Sequence, residues 1–174
     1  MLQSRPAKAP AKPLYTAEQR LRRDQSGWTL VQGILAPLQF LIFLASLALV
    51  LRYLRSGEGL PAAMASVVVK TLALYAIMVT GAIWEKAVFG RYLFAAAFYW
   101  EDAFSMLVLA LHSAYLAALG FGWLGPNGLM ALALAAYAAY GINATQFVLK
   151  LRAARLQAAG EGFAMASPQL RGAR

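Results

Sequence analysis

Glu85, Glu101, Asp102 and His112 are ionisable side chains set inside otherwise apolar sequence. The stretch 99–115, YWEDAFSMLVLALHSAY, puts two adjacent carboxylates at the head of an apolar run that then holds the chain's only histidine. Carboxyl groups kept from bulk water can donate and accept protons, and an imidazole can do the same or ligate a metal. There is no cysteine, which removes disulfides, thiolate metal sites, iron–sulfur ligation and cysteine nucleophiles. A single histidine excludes zinc sites built on two or three imidazoles, and bis-histidine haem within one chain. Any chemistry must run on carboxylates, one imidazole, hydroxyls and amides.

The elements that position these groups follow from hydropathy. Of 174 residues, 61% are hydrophobic and 13% charged, and the mean hydropathy is +0.57. That balance suits a bilayer rather than water. Four apolar runs approach the roughly 20 residues needed to cross about 30 Å of hydrocarbon: 28–51, 62–84, 103–121 and 129–149. The expected fold is an all-α integral membrane protein of four transmembrane helices. The first run is too late and too long for a cleaved signal peptide, and Pro37 should kink it. SGEGLP (56–61) and GPNG (125–128) are short turns, so the helices should form two hairpins joined by a longer aromatic connection.

Thirteen of the 16 basic residues lie in the N-terminal tail, the middle connection (Lys86, Arg91) and the C-terminal end, against Arg52 and Arg55 opposite. The positive-inside bias then puts both termini in the cytoplasm. The same clustering accounts for a net charge of +9 without nucleic acid, as basic helix ends serve topology and lipid headgroups. Residues 1–15 and 157–174 read as disordered tails around a four-helix domain over 16–156. Thr16 and Gln19 have capping-box spacing, predicting a short surface helix over 17–25.

At 1.5 Å per residue, Gln32, Thr80, Ser105, Asn143 and Gln146 all fall near the cytoplasmic ends of their helices, where Glu85, Glu101 and Asp102 enter. At 100° per residue, Glu101, Ser105, Val108 and His112 form one stripe; Lys70, Leu74, Ile77, Gly81 and Glu85 form another. One polar cavity open toward the cytoplasm would satisfy these rows. The carboxylates also fit interfacial ion pairs, and the amides fit interhelical hydrogen bonds. Lys70 and His112 are deep enough that a charge costs a few kcal/mol, although Lys70 could snorkel outward. The connection crowds Trp84, Phe89, Tyr92, Phe94, Phe98, Tyr99 and Trp100 together, as a membrane-embedded loop or a wall for something flat and hydrophobic.

The strings WEKxVFGRYLF and FxWEDxFSMLVLxLH, with the lead-in WTLVQGILAPLQFLIFL, carry a resemblance. From about residue 15 to 156 the chain resembles the 3-vinyl (bacterio)chlorophyllide hydratases of bacteriochlorophyll biosynthesis. That resemblance implies water addition to the C3 vinyl group of a chlorophyllide or bacteriochlorophyllide, giving a 1-hydroxyethyl group, in the inner membrane of a phototrophic bacterium. It implies no cofactor, and the sequence has no nucleotide fingerprint. The implied partners are the pigment and membrane lipid, with other pigment-biosynthesis enzymes or a second copy as candidates.

Such a hydration needs an acid, a base and a wall tolerant of positive charge. Glu101 is the first candidate for the acid and Asp102 for the base or water-positioning group, with Glu85 in reserve. Trp84, Tyr99 and Trp100 could pack on the macrocycle. His112 reads as an axial ligand to the pigment's Mg, as an acid/base at the vinyl group, or as a hydrogen-bonded structural residue. Lys86 and Arg91 suit the propionate, and Gln32 and Asn143 line the same half of the bundle. The chain supplies no metal site of its own. A non-catalytic carrier or assembly factor for chlorophyllide is the main alternative; it needs His112 and apolar walls but gives no reason for three converging carboxylates. A transporter would carry polar residues through both halves, and the outer half is apolar apart from Lys70 and a few hydroxyls.

Overall fold

The computed structural model describes the backbone of residues 14–171, with side chains through 156 and at 159. Among the described residues every regular element is a helix: α1 (Ala17–Gln25), α2 (Gly27–Ser56), α3 (Leu60–Phe89), α4 (Tyr99–Gly120) and α5 (Pro126–Arg171). The last four contain stretches long and apolar enough to cross a membrane. At about 1.5 Å per residue, the 30 residues of α2 and of α3 exceed a hydrocarbon core, so their ends reach the interfaces or the helices tilt.

Glycine and proline set the boundaries. Gly57 ends α2 in the left-handed region, with φ 74, and Pro61 follows at the start of α3. Gly90 ends α3 with φ 80, its N–H donating to Lys86 O, a cap in which any Cβ is strained. Gly90→Ala is expected to cost about 1 kcal/mol, readable as a lower thermal midpoint in detergent; an unchanged midpoint would show that the cap is not held. Pro37 lies inside α2 without ending it.

α2 packs chiefly on α3 and α4 on α5, giving the two expected hairpins, with lighter contacts between them. The outer faces are apolar: Leu30, Ile34, Leu38 and Leu41 on α2, and Val69, Leu72 and Val79 on α3, are all exposed. The interior carries the polar groups, the reverse of a water-soluble bundle. Ser46 Oγ lies 2.6 Å from both Ser66 Oγ and Tyr137 OH, and Tyr75 OH lies 2.8 Å from Ser113 Oγ, tying helices together across the core.

The capping box forms: Thr16 Oγ1 accepts from Gln19 N–H at 3.2 Å, and Gln19 Oε1 accepts from Thr16 N–H at 2.9 Å. α1 rests on α3. Residues 1–13 of the expected N-terminal tail lie outside the described residues, but Leu14 and Tyr15 pack against Val88 and Phe98. Burial pushes the Tyr15 hydroxyl up from its ordinary pKa against the opposing pull of Arg23, so it stays a neutral phenol. At the other end the backbone remains helical to Arg171, through most of the segment that composition reads as a tail.

Candidate active site

The nine residues joining α3 to α4 position the carboxyl groups. Phe94 has φ 58, left-handed for a non-glycine residue, a strain on the order of 1–3 kcal/mol that the surroundings must offset. This turn aims successive amides at two side chains. Phe94 N–H donates to Asp102 Oδ2 at 2.7 Å, and Ala95 N–H donates to Glu85 Oε2 at 3.2 Å. The connection thereby grips the last turns of α3 and the first turn of α4 through their acids.

Glu85 and Asp102 are brought side by side by that turn, since the amides that hold them, Ala95 N–H and Phe94 N–H, are successive. Two carboxylates offer acceptors alone, so a bond between them exists only when one holds a proton. Glu101 faces elsewhere, because neighbours on a helix diverge by about 100°. Its Oε2 accepts from Lys150 Nζ on α5 at 2.5 Å, and the same ammonium lies 4.9 Å from the centre of the Phe98 ring. Glu85, Glu101 and Asp102 are 5%, 7% and 4% exposed. Three acids and one ammonium thus form a shielded cluster, not a set of surface ion pairs.

Phe98 is the hub of an aromatic floor. It meets Trp84 at 5.7 Å and Phe89 at 5.8 Å edge-on, and stacks on Phe147 at 5.9 Å. Trp84 Nε1 donates to Thr29 Oγ1 at 2.9 Å, fixing α3 to α2. Tyr99 and Trp100 point outward instead, 51% and 69% exposed, and meet edge-on at 5.6 Å.

A cleft of about 590 Å³ opens beside the cluster, between the start of α1, the connection and α5; Leu14, Phe89, Arg91, Ala95 and Lys150 are among its walls. Lys86 is not among them: its Nζ donates to Gly90 O at 3.0 Å and lies 5.3 Å from the Tyr92 ring centre.

The stripe Glu101, Ser105, Val108, His112 is buried along its whole length. His112 is fully enclosed, with its ring 5.9 Å from that of Tyr137. Its Nδ1 lies 2.8 Å from Val108 O, so Nδ1 carries the hydrogen and Nε2 keeps a lone pair, which has no partner. Lys70 does not snorkel: it is fully buried, with Nζ 3.6 Å from the Tyr140 ring centre. The amides do not converge on one cavity. Gln32 Nε2 donates to Thr80 Oγ1 at 2.7 Å within the first hairpin, and Asn143 Nδ2 donates to Ser105 Oγ at 2.8 Å within the second.

Sequence reasoning missed Lys150 and the backbone N–H groups of Phe94 and Ala95. Lys150 reads as one more basic residue at a helix end, and nothing local links it to Glu101 across 49 positions. The Phe94 turn has no glycine to announce it.

Comparison with known proteins adds four findings. The family model described as 2-vinyl bacteriochlorophyllide hydratase matches residues 15–153. A protein of that name from Cereibacter sphaeroides is 67% identical over 149 residues, covering 85% of this chain and 92% of its own length. Another of that name from Rhodobacter capsulatus is 65% identical over 150 residues, covering 86% and 87%. No solved structure matches.

Proposed function

The chain belongs to the 2-vinyl bacteriochlorophyllide hydratase family, and from that premise we propose that it adds water to the vinyl group of a chlorophyllide or bacteriochlorophyllide. The product is the 1-hydroxyethyl derivative; positions 2 and 3 name the same ring substituent under two numbering conventions. The relatives' names support the reaction, and the two buried carboxyl groups gripped by successive amides, Glu85 by Ala95 N–H and Asp102 by Phe94 N–H, support its mechanism.

In the proposed mechanism the proton shared by Glu85 and Asp102 goes to the terminal vinyl carbon. The electron pair of the double bond forms the new C–H bond, leaving positive charge on the ring-attached carbon, delocalised over the macrocycle. Water attacks that carbon and yields its proton to a carboxylate of the cluster, restoring the starting charge. The addition is redox-neutral. Glu101, fixed as the partner of Lys150, orients the attacking water in this scheme instead of delivering the first proton. The Phe94 and Ala95 amides stabilise whichever member of the pair is ionised after transfer. Trp84 supports the floor from beneath, and the exposed faces of Tyr99 and Trp100 meet lipid or the incoming pigment.

We assign His112 to the pigment's Mg. An imidazole that donates Nδ1–H to a backbone carbonyl has the orientation usual for metal ligands, and its Nε2 has no other partner. His112→Ala is expected to weaken binding of the Mg-containing pigment and to leave the Mg-free pigment unaffected, read by absorbance titration. Equal effects on both would remove the axial role. Gln32 and Asn143 act within their own hairpins, each holding a hydroxyl of the neighbouring helix, Thr80 and Ser105. Arg91 keeps its role at the substrate's propionate, while Lys86, spent on Gly90 O, is left out of it.

The charge bias supports an orientation with the connection and both termini in the cytoplasm, and the pigment chemistry of the relatives' names supports the bacterial inner membrane as the location. The reaction is tested by incubating the purified protein with a 3-vinyl chlorophyllide and no added cofactor: a product heavier by one water supports it, and bound but unchanged pigment would favour a carrier.

A further inference from the structure

We propose that the cleft between α1, the α3–α4 connection and α5 binds a carboxylate of the pigment on Arg91 and Lys150, with Lys150 bridging that carboxylate to Glu101. This rests on the hydratase reading for the identity of the ligand, but the observations are those of the cleft. At about 590 Å³ it has the size of small-molecule sites. Both charged side chains in its wall, Arg91 and Lys150, are cations, and no acid lines it. Among the described residues no carboxylate pairs with Arg91. Glu101 balances Lys150, so the cleft retains one uncompensated positive charge.

The donors match that charge. A lysine ammonium carries three N–H groups; one is taken by Glu101 and two remain. The Arg91 fork can hold both oxygens of a carboxylate. The rest of the wall is mostly methyl and ring surface, from Leu14, Phe89 and Ala95 to Ala97, with Thr16 and Gln19 as its neutral polar members. That pattern fits the edge of a flat apolar body whose acidic arm stays near water. Lys150 thereby ties the distance between the pigment's acid and the Glu101 side of the cluster to a single ammonium, which would fix the depth at which the macrocycle docks. Lys150 is also held over the Phe98 ring, so the aromatic floor sets its position.

A phospholipid headgroup at the same interface presents the same oxyanion chemistry, and the experiment separates the two sources. The full chain is placed in nanodiscs of zwitterionic lipid, with or without an anionic lipid, and titrated with the free-acid pigment or its methyl ester, binding being read from pigment absorbance. Lys150→Met and Arg91→Gln are each expected to weaken binding of the free acid roughly ten- to a hundred-fold and to leave the ester unchanged, with Lys150→Arg recovering most of the loss. Arg91→Gln leaves the Glu101 pair intact, so its result stands even where Lys150→Met fails to fold. Equal binding of acid and ester by the unmodified protein would overturn the proposal. So would an effect of the variants that follows anionic lipid content and ignores esterification, which would make the cleft a headgroup site. Because binding is read without turnover, failure to hydrate the pigment would refute the hydratase reading and leave this result legible.

Discussion

Asp102→Asn is expected to lower kcat by about 10²- to 10⁴-fold, the usual range for loss of a proton-transferring group, while leaving the bundle folded and the pigment bound. Asparagine has the shape of aspartate, and its carbonyl oxygen can still accept the Phe94 N–H that now reaches Oδ2 at 2.7 Å. What it cannot do is exchange a proton with Glu85. Glu85→Gln should give a loss of the same order, since Ala95 N–H can still be accepted there. The double variant should be little worse than either single one, because two groups acting as one unit fail together. Full activity in Asp102→Asn would remove the pair from the mechanism. Multiplicative losses in the double variant would show two independent roles in place of a shared proton.

Phe98→Ala should have the largest effect on stability, about 3–5 kcal/mol as for other buried phenylalanines cut to alanine. Phe98 is 2% exposed and sits among Tyr15, Trp84, Phe89 and Phe147 while carrying the Lys150 ammonium on its face. Its loss would open a cavity beneath the connection that presents the Phe94 and Ala95 amides, so activity should fall with stability. Trp100→Ala, two positions on and 69% exposed, should stay within about 0.5 kcal/mol. The contrast is measured as thermal midpoints of both variants in the same detergent. Comparable losses at the two positions would mean that the exposed tryptophan is buried against a partner, and that the floor is not centred on Phe98.

These two cases divide what the sequence discloses from what it does not. Periodic hydropathy located all four spans, because span length is fixed by the bilayer and not by neighbours, and helix ends followed the glycines and prolines that force them. The buried stripe from Glu101 to His112 was also legible, since spacing on a helix determines azimuth. Partners were not. Adjacent in sequence, Glu101 and Asp102 look like one acidic pair, yet the turn of the helix sends Glu101 to Lys150 on α5 and Asp102 to the Phe94 amide of the connection. Glu85 lies 17 positions before Asp102 and meets it because the connection folds back on both through its own amides. Spacing rules within a helix carry no information about such contacts. Lys70 shows the same limit: depth suggested a snorkelling route, and packing placed its ammonium on Tyr140.

The central claim, hydration by proton transfer from a shielded carboxyl pair, is tested most directly by running the reaction in doubly labelled water, D₂¹⁸O, and locating the labels in the recovered pigment by mass spectrometry and NMR. One deuterium is expected in the new methyl group and ¹⁸O on the adjacent carbon, with both labels lost together in Asp102→Asn. Pigment that binds the unmodified protein and returns unlabelled, or Asp102→Asn that labels as fast as the unmodified protein, would contradict it.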